Sequence, residues 1–155
     1  MKHADFGSVI SGTLRTEDLL DSFAWELEHH LRENPESFSG AEKDRLAKMI
    51  KKARKEGAAK DEFADELVNN LADELQAFAP DYGYFGAHPG DGADFGFWLS
   101  EDWERAAKDD DALFVSDLAE VPDDASGPVV VVNDHGNVTL YYAEEGKLTE
   151  QWSCV

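Results

Sequence analysis

The chain of 155 residues holds a single cysteine, Cys154. No internal disulfide can form, which fits a reducing compartment. Long apolar runs are missing too. The longest aliphatic stretch, Val129–Val132, falls far short of the roughly 20 residues that a membrane-spanning helix needs. The opening MKHADFGSVISG has no apolar segment and no cleavage pattern, so it does not read as a signal peptide, and a cytoplasmic location is expected. Basic residues are scarce after position 60. Residues 61–155 contain only Arg105, Lys108 and Lys147 against 23 acidic side chains, whereas residues 1–60 contain 11 of each sign. The whole formal net charge of −20 therefore resides in residues 61–155. Such a surface repels nucleic acid and anionic membranes and suits a basic protein partner. The phosphate-cradling G-x-x-x-x-G-K-[ST] loop, the G-x-G-x-x-G fingerprint and the G-x-S-x-G elbow are all absent, which weighs against an ordinary enzyme. No catalytic residue, metal or cofactor is assigned.

What is present suffices for a core. Hydrophobic residues make up 42% of the chain and there are 9 Phe, 4 Trp and 4 Tyr, so global disorder is not expected. After a short lead-in over residues 1–12, Thr16 is placed as the N-cap of a first helix, with Leu20, Phe23, Ala24, Leu27 and Leu31 at helical spacing and Asn34-Pro35 as its end. Ser39 and Glu42 form a capping-box pattern for a second helix, with Leu46, Met49, Ile50 and Ala53 as its buried stripe and Gly57 as its stop. A third helix is read over Asp61–Phe78, with Phe63, Leu67, Leu71, Leu75 and Phe78 as its apolar face.

Beyond Pro80 the pattern changes. YGYFGAHPG and DFGFWL read as two strands around a tight turn. A short helix follows over Glu101–Lys108, then a strand over Leu113–Leu118, and a hairpin made of PVVVV, NDHGN and VTLYY. A last strand, LTEQWSCV, comes after the Glu145-Gly146-Lys147 turn. The expected fold class is α+β: an N-terminal three-helix unit, residues 1–79, then a mainly antiparallel sheet region, residues 80–155, with one short helical insertion. The two are expected to form one compact domain.

Charge layout supplies the candidate site. At 100° per residue, Glu62, Glu66 and Asp73 of a helix over 61–78 fall within about 40° of one another. Asp61 and Asp65 flank them, opposite the apolar stripe. Glu101, Asp102, Asp109, Asp110 and Asp111 add a second acidic run, with Trp103 as an aromatic anchor. Rigid carboxylates can imitate nucleic-acid phosphates, which lie one per ~1.7 Å along duplex DNA. The plainer account is a solvated helix face. Halophilic adaptation fits less well, because residues 43–60 carry eight basic side chains. The lysines of the second helix point to solvent and either contact a partner or keep the chain soluble. His88, Asp91 and Asp94 surround one turn and His135 lies in another. Together they define the alternative of a small metal-dependent hydrolase, against the simpler account of Asp and Asn residues bonding their own backbone. A third class is an adaptor whose sheet edge mediates self-association.

The segments YFGAHPGDGADFGFWLS and VNDHGNVTLYYAEEGKLTEQWSCV, preceded by GTLRTEDLL near the start, resemble small acidic accessory proteins of bacteriophages and other mobile elements. That type has no established activity. The resemblance covers the start and the last half of the chain, and the helices between match it poorly. It implies a context: a bacterial host cell, and inhibition of a host defence or nucleic-acid-binding protein. By analogy with small acidic inhibitors, an anti-CRISPR DNA mimic heads the expectations and a restriction-enzyme inhibitor follows.

Overall fold

The computed structural model describes residues 1–154. The protein is α+β. Its contacts divide into two compact units: Met1–Ala79 together with Tyr84–Trp98, and Pro80–Gly83 together with the residues from Leu99 on.

The first unit opens with a strand, β1 (Gly7–Ile10), followed by helices α1 (Thr16–Glu33), α2 (Gly40–Ala53) and α3 (Ala64–Gln76). A hairpin of β2 (Gly83–His88) and β3 (Asp91–Leu99) follows, and the three strands form a sheet in the order β1-β3-β2. Leu20, Phe23, Leu27, Leu46, Leu71, Leu75 and Phe78 pack into one core with Phe85 and Phe97 of the hairpin. Phe23 sits edge-on to Phe85 at 5.0 Å, an arrangement that aromatic quadrupoles favour. The hairpin thus covers the apolar face that the helices present, and it groups with them rather than with the later strands.

Local chemistry explains the start of α2. Ser39 caps α2 through a complete capping box, with both reciprocal bonds to Glu42 formed. Several expected boundaries need correction. The second helix ends at Ala53, short of Gly57, and the strand expected over Leu113–Leu118 ends at Val115. The cap of α1 is Arg15, not Thr16. Thr13 accepts the Arg15 N–H and donates to Asp18, while the Thr16 hydroxyl reaches Asp65. And α3 begins at Ala64 rather than Asp61, because a 3-10 turn over Ala58–Lys60 leads into Asp61, whose carboxylate accepts the Phe63 N–H at 2.9 Å. That local bond is an alternative to helix, as short acidic side chains often provide. Phe63 consequently leaves the apolar stripe and is 53% exposed.

The second unit contains a short helix, α4 (Trp103–Asp109), and four strands: β4 (Leu113–Val115), β5 (Gly127–Val132), β6 (Val138–Glu144) and β7 (Lys147–Cys154). Their order is β4-β5-β6-β7. The last three are antiparallel, and β4 runs parallel to β5. The parallel pair follows from the connection: a crossover through the 3-10 turn Leu118–Glu120 and a loop, rather than a hairpin. Val129, Val130, Leu140, Ala143 and Trp152 are buried.

Candidate functional site

On the first unit, the acidic run meets the surface in two parts. Glu66 and Asp73 lie on the exposed side of α3. They are seven residues apart, hence about 10.5 Å along the axis. Asp61 and Glu62 precede the helix, so Glu62 is not a rung of the same helical ladder and the expected three-carboxylate row is reduced to two. Among the described residues, Glu62, Glu66 and Asp73 have no cation within ion-pair distance, whereas Glu74 takes both nitrogens of Arg45 at 2.6 and 2.9 Å. Asp65 accepts from Thr16. Phe63 is exposed just ahead of α3, with the Lys52 ammonium 6.0 Å from its ring, and it lines a small pocket with Lys52, Lys55 and Asp61.

On the second unit, Glu101, Asp102, Asp109, Asp110 and Asp111 are all exposed. Two are engaged. Asp102 accepts from the Ser100 hydroxyl and pairs with Arg105, and these contacts, the Ser100 bond foremost, hold its carboxyl below the usual carboxylate range. Asp110 accepts from the Tyr82 hydroxyl at 3.2 Å. Trp103 is half-buried and stacked on Phe114 at 6.2 Å, so it is tied into its own unit rather than projecting. The exposed aromatics are others: Trp25, Phe63 and Tyr142.

The turn around His88 has a structural explanation. His88 Nδ1 accepts the Gly90 N–H at 3.0 Å and its ring packs on Trp98. Asp91 accepts the Ala93 N–H, and Asp94 accepts from the Ser8 hydroxyl. In the NDHGN turn, Asn133 accepts from both His135 and Asn137. Among the described residues, no three His, Cys, Asp or Glu side chains are grouped so as to hold a metal ion.

Sequence reasoning missed two features. The first is His30, 5% exposed, stacked on Phe78 at 4.7 Å. Its Nε2 lies 3.0 Å from Glu26 Oε1, near enough for an ion pair but off the line of a well-directed hydrogen bond. Both line a polar pocket of about 390 Å³ with His3, His29 and Glu33. The signal was legible: His30 continues the Leu20, Phe23, Leu27 stripe at the same three-to-four spacing. The second is a groove of about 1050 Å³ between α1 and α2. Leu31, Pro35, Ala47 and Ile50 contribute its apolar surface, and seven cationic side chains against the single carboxylate of Glu28 give it its charge.

No protein-family model, curated protein or solved structure matches the chain. Among the described residues, no helix is long and apolar enough to cross a membrane.

Proposed function

We propose that the protein is a non-enzymatic inhibitor from a phage or mobile element, acting in the bacterial host cell. An acidic, nucleic-acid-mimicking surface docks on the basic groove of a host nucleic-acid-binding protein. A CRISPR effector is the first target to test and a restriction enzyme the second. The observation that carries this reading is the set of exposed carboxylates Glu62, Glu66 and Asp73, none within ion-pair distance of a cation among the described residues, with the exposed ring of Phe63 next to Glu62 in the chain as an anchor. Unpaired surface charge of one sign steers association with a complementary groove, and a desolvated aromatic slows release. The acidic run at Glu101 and Asp109–Asp111 of the second unit supports the reading independently.

The test is competition. A labelled DNA duplex bound to a purified effector is titrated with the protein at low and high salt. Displacement that fades with salt is expected, and Glu66→Lys with Asp73→Lys weakens it by about tenfold or more. Full displacement by that double variant would sink the helical part of the reading. Full displacement by a Glu101, Asp109 and Asp111 reversal would clear the second unit of a role.

A further inference from the structure

On a chain of net charge −20, the groove between α1 and α2 is a reversal of sign. Most of its cations are not consumed internally. Arg54 pairs with Glu28, and Arg45, outside the groove, pairs with Glu74. Among the described residues, Lys43, Lys48, Lys51 and Lys55 make no ion pair, and all four are exposed. The neighbouring acidic helix therefore does not neutralise them. Between them lies apolar surface that the core does not cover, including exposed Pro35 and Ala47.

We infer that this groove binds an acidic amphipathic α-helix of a partner protein, whose apolar ridge enters between α1 and α2 while its flanking carboxylates meet Lys43, Lys48, Lys51 and Lys55. The match is one of charge and shape. A phosphate backbone would satisfy the lysines but leave the apolar floor unused. A small amphiphile would use the floor, but the groove is open to solvent along α2, and small ligands are mostly enclosed by their sites. A helix laid in a groove covers both. The 14 residues of α2 offer about 21 Å of track, roughly four turns of partner helix. The long-range field of the acidic chain does not forbid this, since charges more than about 8 Å apart are largely screened at physiological salt. The surface is distinct from the carboxylates of the proposed function, and either can fail without the other.

The experiment uses the full chain and a fluorescein-labelled synthetic helix with leucines on one face and glutamates beside them. Comparison peptides are a scramble of equal composition that disperses the leucines, and a version with lysine for glutamate. Anisotropy is expected to show saturable binding of the first peptide alone. Ala47→Glu, which puts a carboxylate on the floor, weakens it by about tenfold or more, as does Lys48→Glu with Lys51→Glu on the rim. Circular dichroism confirms that each variant is folded, and the rim pair, fully on the surface, keeps the test decisive should Ala47→Glu disturb α2. No saturable binding, equal binding of the scramble, or indifference to both variants overturns the inference. So does a DNA duplex probe that binds and is lost in the rim variant, which would assign the groove to nucleic acid. Concentration-dependent dimers in sedimentation, lost in Ala47→Glu, would assign it to a second copy of this chain.

Discussion

Tyr82 combines two unusual properties. It is a bulky residue at φ 64°, a region such side chains seldom adopt, and burial pushes its phenol up to about 12, with the Asp110 hydrogen bond and charge adding to the effect. The folded state therefore keeps a proton that the unfolded chain releases near pH 10. Stability is expected to fall as pH rises from about 10 to about 12. Tyrosinate absorbance should show the last of the tyrosine transitions disappear in Tyr82→Phe. In Asp110→Asn that transition should move down without reaching the ordinary value, because the burial stays. An unchanged final transition in Tyr82→Phe would reassign it to Tyr141, whose phenol is also raised, by burial and then by Glu150. Gly96 is a second sensitive position. It pairs with Ser8, and a β-carbon there would run into the Gly7 carbonyl. Gly96→Ala is expected to cost roughly 1–3 kcal/mol through overpacking, read as a lower denaturant midpoint with β1 the first strand to lose amide protection.

At the level of elements, α3 shows what sequence spacing can and cannot deliver. Leu67, Leu71 and Leu75 at intervals of four identified the helix and its buried face correctly. The same periodicity extended it to Phe63 and beyond, because period alone is blind to a competing local bond. The Asp61 carboxylate holding the Phe63 N–H is what stops it. The consequence for the candidate site is direct: Glu62 leaves the helical row and Phe63 becomes surface. Asp61→Ala should remove that bond and let the helix lengthen toward residue 61, seen as new amide protection at Asp65 and Glu66, whose N–H groups would gain partners one turn back. Loss of protection at Ala64 and Leu67 would instead mean that Asp61 was holding the turn and the helix start together. The groove escaped notice for another reason. Lys48, Lys51 and Lys55 were recognisable as an exposed face, but the apolar floor belongs partly to α1, and nothing in the order of residues states which helix faces lie side by side. The strands β5, β6 and β7 were legible because turn chemistry, Asn133 at one end and Gly146 at the other, marks them.

For the whole molecule, charge is the dominant fact. A net −20 over 155 residues opposes compaction by self-repulsion. Added sodium chloride is expected to raise the melting temperature between low and moderate salt, and a melting temperature indifferent to salt would mean that the acidic side chains are spaced too widely to interact. The division into two units adds a further expectation. Residues 1–79 contain all three long helices, yet the first unit is completed only by Tyr84–Trp98. A fragment ending at residue 79 should expose the faces of Phe23 and Phe78 and bind a hydrophobic dye. One ending at residue 98 should not. During synthesis the same order applies. At the roughly 5–20 residues per second of translation, the helices leave the ribosome about one to four seconds before the hairpin that closes over them. The apolar side of α1 and α3 is a chaperone's window until residue 98 has emerged.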